Sequence, residues 1–109
     1  MTWLVNDTRV LASAEVAVGR GGRAKGLLGR SSIEGAFVFT PCRWVHTFGM
    51  RFDLDVAYLD AHGAVLRTVR MKRHRLGMPS LRARSVIEAQ AGAFGRWGLS
   101  VGDVIELRD

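Results

Sequence analysis

Hydrophobic positions along this chain come in short bursts punctuated by glycine, proline, asparagine and aspartate, a pattern that predicts strands rather than helices. Trp3-Leu4-Val5 and Thr8-Arg9-Val10-Leu11-Ala12 flank Asn6-Asp7, residues that tolerate the left-handed turn of a hairpin. Glu15-Val16-Ala17-Val18 alternates polar and apolar. Ala36-Phe37-Val38-Phe39-Thr40 reads as a buried strand stopped by Pro41, and Trp44-Val45-His46-Thr47-Phe48 as a further β-prone run. Leu54, Val56 and Tyr58 share one face of the next run. Asp60-Ala61-His62-Gly63 then turns the chain into Ala64-Val65-Leu66-Arg67-Thr68-Val69-Arg70-Met71, which predicts a hairpin over 54–71. Ser85-Val86-Ile87-Glu88-Ala89 and Val104-Ile105-Glu106-Leu107-Arg108 supply two more strands.

The remaining segments lack that alternation. Residues 23–30 predict two helical turns, whereas Ala91-Gly92-Ala93-Phe94-Gly95-Arg96-Trp97-Gly98 is too rich in glycine for a stable helix. Residues 72–84 follow neither period, contain Gly77 and Pro79, and predict a mobile loop. Many short strands without a strand-helix-strand rhythm predict a mostly β fold: a small antiparallel β-sandwich or partly closed barrel, with one short helix near residues 23–30. The 109 residues suit a single domain spanning 1–109.

Composition narrows the setting. With 48% hydrophobic and 24% charged residues the chain has the apolar content to fold, unlike a disordered polypeptide. A lone Cys42 forms no internal disulfide, the first residues do not read as a signal peptide, and no run approaches the ~18 apolar residues of a membrane span. The expectation is a cytoplasmic protein with no membrane partner. The net charge of +6 is concentrated, because no acidic residue lies between Asp60 and Glu88, while Arg67, Arg70, Lys72, Arg73, Arg75, Arg82 and Arg84 do. These seven are the candidate anion-binding residues.

The densest polar cluster in an apolar stretch is His46, Thr47, Arg51, Asp53 and Asp55. A histidine beside carboxylates suits a general base, and equally suits a set of buried hydrogen bonds that fixes strand register. His46, His62 and His74 follow no metal-ligand spacing, so neither a metal nor a cofactor is expected. Cys42 has two readings, as a thiol activated by Arg43 and His46 or as a small buried side chain. The glycine-rich run from Gly19 to Gly26 completes neither a P-loop nor a dinucleotide fingerprint. Between Arg67 and Arg84 there is no Phe, Tyr or Trp, so this basic segment lacks the stacking side chains of a single-strand binder. Trp3, Phe94 and Trp97 suit either the core or a dimer contact.

The stretch His46-Thr47-Phe48-Gly49-Met50-Arg51-Phe52-Asp53-Leu54-Asp55-Val56-Ala57-Tyr58-Leu59-Asp60 resembles the signature of domain of unknown function family 192, His-Thr-x-x-Met-x-x-x-x-Asp-Val-x-x-Leu-Asp. Lys25-Gly26-Leu27-Leu28-Gly29-Arg30, Val86-Ile87-Glu88-Ala89-Gln90-Ala91-Gly92 and Gly102-Asp103 are similar to three further motifs of that family, in the same order. Leu28 and Gln90 depart from its usual methionine and proline. The resemblance implies a compact β-rich domain and no established activity. Carried over residue by residue, it marks His46, Thr47, Met50, Asp55 and Asp60 as candidate ligand contacts, with Lys25, Arg30 and Glu88 as second contributors.

The expected function is a non-catalytic ligand-binding or interaction module with a polar site around the His46 to Asp55 motif, whose partner is a small ligand or a protein. The alternatives are nucleic-acid or polyanion binding through residues 67–84, and a hydrolase or transferase using His46 with Asp53 or Asp55.

Overall fold

The computed structural model describes residues 1–18 and 30–109, so all but one residue of the helix expected at 23–30 lies outside the described residues; Arg30 itself is not helical. Among the described residues seven strands form one sheet: β1 (Thr2–Asn6), β2 (Arg9–Val18), β3 (Ala36–Thr40), β4 (Leu54–Leu59), β5 (Val65–Met71), β6 (Ser85–Gln90) and β7 (Ile105–Arg108). Their order is β5-β4-β6-β3-β2-β1-β7, with β2 and β3 parallel and every other pair antiparallel. The sheet curls into a half-barrel, which selects the barrel over the sandwich.

The curl is drawn together where the chain ahead of β7 meets the start of β5. Ile105 N–H donates to Gly63 O, Val65 N–H to Asp103 O and Gly102 N–H to Val65 O, all near 2.9 Å. All seven strands supply side chains to the interior: Leu4, Ala14, Val38, Leu59, Val65, Ile87 and Ile105 belong to one cluster of buried residues. Burying these side chains stabilises the fold by roughly 25 cal/mol for each Å² of apolar surface removed from water.

The outer face of β3, β4 and β6 carries a second cluster. Phe37, Phe39, Leu54, Val56, Tyr58 and Val86 pack there under Cys42, Val45, Met50 and Phe52 from the segment between β3 and β4. That cover is zipped to the segment between β5 and β6. Cys42 N–H donates to Arg84 O, Ser80 N–H to Arg43 O, Gly77 N–H to Val45 O and Thr47 N–H to Arg75 O. Residues 72–84 are thus without helix or strand, as their pattern predicts, yet tied along their length. Gly77 is required there, because a Cβ at this position would stand 2.7 Å from Val45 O.

Two expectations are corrected. Trp44–Phe48 is not a strand: it alternates as one, with Val45 and Thr47 buried and Trp44, His46 and Phe48 outward, but only His46 pairs, with Leu76. The neighbouring chain turns at Arg73–His74, and the pairing ends at that single bridge. Conversely, residues 93–97 form helix α1 (Ala93–Trp97) despite their glycines. Gly92 and Gly98 occupy left-handed positions at its two ends, at φ 96° and 68°, where glycine is favourable rather than costly. Ala93 and Phe94 are buried against the barrel interior. Among the described residues no helix is long and apolar enough to cross a membrane.

Candidate functional site

The polar residues of the signature take up separate posts. Asp55 turns to the inner side of β4, where Oδ2 accepts Gly92 N–H at 2.9 Å and Phe94 N–H at 3.1 Å while Oδ1 accepts Arg70 Nε at 3.1 Å. It therefore anchors the start of α1 with negative charge, where unpaired amides and the helix dipole favour it. Thr47 is fully buried in the outer cover. Its hydroxyl donates to Lys72 O at 2.6 Å and accepts Arg75 N–H at 2.8 Å, and Met50 is packed beside it in the outer cluster. Asp53 accepts Arg73 N–H at 3.0 Å.

His46 is exposed on the outer cover, on the opposite side of the sheet from Asp55. The fold does not bring the two into one site. Cys42 is buried and its thiol donates to Trp44 O at 3.3 Å. Glu88 is buried in the outer wall, in register between Phe37 and Val56. Arg30 pairs with Glu15 at 3.4 Å and lies over the Phe37 ring, and Lys25 falls outside the described residues.

Asp60 closes the β4–β5 turn, its Oδ1 accepting Ala64 N–H at 3.0 Å and His62 N–H at 2.8 Å. Those bonds, Ala64 first, hold its carboxyl below the usual aspartate range. With Arg84 and Ser85 it rims the barrel mouth, an open cavity of about 450 Å³ floored by Leu4, Val38 and Ile87. Among the described residues no group of three His, Cys, Asp or Glu side chains is placed to hold a metal ion.

The seven basic residues also divide. Arg84 lines the barrel mouth, Arg82 acts on Asp60 electrostatically, and Arg73 pairs with Asp53 at 3.7 Å. The other four stand along β5 and the chain that follows it, Arg70 turned to Asp55 on the inner face. Arg67, Arg70, Lys72 and Arg75 line one groove of about 510 Å³ between β5 and residues 75–78, with Val69, Met71, Leu76 and Met78 as its apolar walls. Arg67 fixes the groove's width by donating from Nη2 to Met78 O at 2.6 Å. Its guanidinium lies 4.4 Å from the centre of the ring of Tyr58, a buried residue that does not line the groove, in a cation-π contact. Burial pushes the Tyr58 phenol pKa up, against the opposing pull of Arg67.

A row of aromatic rings borders the same loop. Trp44 and His46 have ring centres 5.9 Å apart, His46 and Phe48 5.3 Å apart, and all three are exposed. Trp44 is held rigid by its indole N–H, which donates to Gly77 O at 2.7 Å. Reading the basic segment alone misses these rings, because they arrive from a different part of the chain. Their signal in the sequence is the alternation Trp44-x-His46-x-Phe48.

The same fold is present in two crystal structures. A protein of unknown function from Novosphingobium aromaticivorans DSM 12444 superposes with a TM-score of 0.81 at 19% identity, over 96% of this chain and 82% of that one. A protein from Sinorhizobium meliloti 1021, described as a "putative transcription regulator", gives 0.79 at 22% identity, over 96% of this chain and 90% of that one. No curated protein matches the chain. The model of one family matches residues 2–107, nearly the whole chain: the chain belongs to domain of unknown function family 192 (DUF192, Uncharacterized ACR).

Proposed function

We propose that this domain is a non-catalytic interaction module whose groove beside β5 receives an anionic partner. The observation that carries the reading is the gathering of Arg67, Lys72 and Arg75 around one apolar-walled groove, with Arg70 on the opposite face of the same strand. Among the described residues, Lys72 and Arg75 form no ion pair, so their charge is available to a ligand. The side chains that suggested chemistry are engaged otherwise: the Cys42 thiol bonds Trp44 O rather than His46, and Asp53 and Asp55 hold backbone amides. That supports binding over turnover.

Fluorescence anisotropy with a labelled oligoglutamate tests the reading. Binding is expected to be saturable at low salt, to weaken as salt rises, and to drop about tenfold in Lys72→Glu/Arg75→Glu, an effect of ~1.4 kcal/mol. Failure of every anionic probe to bind at low salt, or equal affinity in the reversed variant, overturns it.

The aromatic row favours a second reading, single-stranded nucleic acid. A row of exposed rings beside a cationic loop suits that ligand, each stacked base contributing about 1–3 kcal/mol. The similarity to a protein described as a "putative transcription regulator" adds modest support. Under this reading Trp44→Ala/Phe48→Ala abolishes binding of labelled oligothymidylate while oligoglutamate binding survives. Unchanged oligothymidylate affinity in that variant removes it.

A further inference from the structure

Strand β5 lies at one edge of the sheet. Its first residue is occupied by the 102–105 segment, but among the described residues its only strand partner from Leu66 to Met71 is β4. Along an antiparallel edge every second residue turns both its N–H and its C=O outward, so this stretch presents a template for a further strand. The two faces of that edge are hollowed. Val69 is in register with Val56 on the outer side, where the groove of about 510 Å³ lies. Arg70 is in register with Asp55 on the inner side, beside a shallow depression of about 410 Å³ formed with Phe94 and Leu99. Thr68, Val69 and Arg70 line both hollows, which therefore straddle the strand.

An added strand sends alternate side chains to opposite faces. At this edge one set would enter the outer groove, whose walls are aliphatic and methionine side chains suited to apolar residues of varied shape. The other set would meet Arg70, which uses its Nε for Asp55 and keeps 61% of its side chain exposed. Lys72 and Arg75 stand at the groove's rim. From this arrangement we infer that β5 accepts an extended segment of another protein as an eighth strand, and that the segment is acidic with apolar residues at alternate positions. This rests on the anionic-partner reading and names the partner's class. The groove has no aromatic lining on which bases would stack, which favours a peptide over nucleic acid at this edge.

The test uses the ¹⁵N-labelled full chain and a short N-acetylated peptide in which Glu alternates with Val and Leu. Saturable shifts are expected at residues 66–78, together with new protection from hydrogen exchange at the outward amides of 66–71. Methylating a central peptide nitrogen should weaken binding at least tenfold, because it removes a main-chain hydrogen bond. If the methylated peptide binds equally well, or binding brings no protection, strand addition is wrong while the anion groove stands. If oligothymidylate shifts the groove and the peptide does not, the peptide assignment is overturned and the anionic reading survives. Concentration-dependent shifts at 66–71 without peptide would assign the edge to a second copy of this chain instead. No response to any anionic probe overturns both proposals.

Discussion

Asp55→Ala is expected to lower the unfolding free energy by about 3 kcal/mol, because it leaves the half-buried amide of Gly92 and the buried amide of Phe94 without an acceptor at about 1–3 kcal/mol each. Asp55 is 5% exposed, so water does not replace its carboxylate freely. Such a loss is a large fraction of the 5–15 kcal/mol typical of a domain. Arg70→Ala separates the two roles of Asp55. The arginine is 61% exposed, and losing its pair should cost less than about 1 kcal/mol. Asp55→Asn retains one carbonyl acceptor and should fall between the two. Urea denaturation followed by tryptophan fluorescence ranks the three. If Asp55→Ala and Arg70→Ala prove equal, the anchoring of α1 by Asp55 carries no weight and the residue returns to the list of ligand contacts.

The second large effect is expected at Thr47. Valine matches threonine in shape, so Thr47→Val isolates the hydroxyl. Two backbone groups lose their partner: Lys72 O, which accepts from Thr47 at 2.6 Å, and Arg75 N–H, which donates to it at 2.8 Å. The site is fully buried, and about 2–3 kcal/mol should be lost. The loss has a functional signature, because the same hydroxyl holds residues 72–75 beside the groove. Thr47→Val should therefore also reduce oligoglutamate affinity, at temperatures where the variant remains folded by circular dichroism. A variant that loses stability yet binds normally would show that the groove does not depend on this bond.

How much of this was readable beforehand depends on the reach of each interaction. The 54–71 hairpin is legible because Leu54, Val56 and Tyr58 alternate on one face and Asp60 fixes the turn through its own neighbours. Helix α1 is not, since its glycines disfavour it locally and its anchor, Asp55, comes from a distant strand. The segment Trp44–Phe48 has a strand's alternation, but a strand also needs a partner, and only His46 finds one. The signature marks His46 and Asp55 together, yet the sheet lies between them; nearness along a chain does not specify which face a side chain takes. The groove was half legible. Its cations stand out in the sequence, but its walls require residues 75–78 to fold beside β5, and its openness requires β5 to be an edge.

The residues that give this edge its attraction also determine what it refuses. A second copy of β5 arriving at the same edge would bring Arg67 and Arg70 with it, and like charges facing one another across paired strands are unfavourable. The strand thus discriminates against itself. An unpaired edge is ordinarily a route to aggregation, and arginine in the middle of the strand closes that route while leaving the backbone open to a partner of opposite charge. Solubility and partner choice are here two outcomes of the same two side chains, so a variant that neutralises them to probe binding would also release the edge to pair with its own kind.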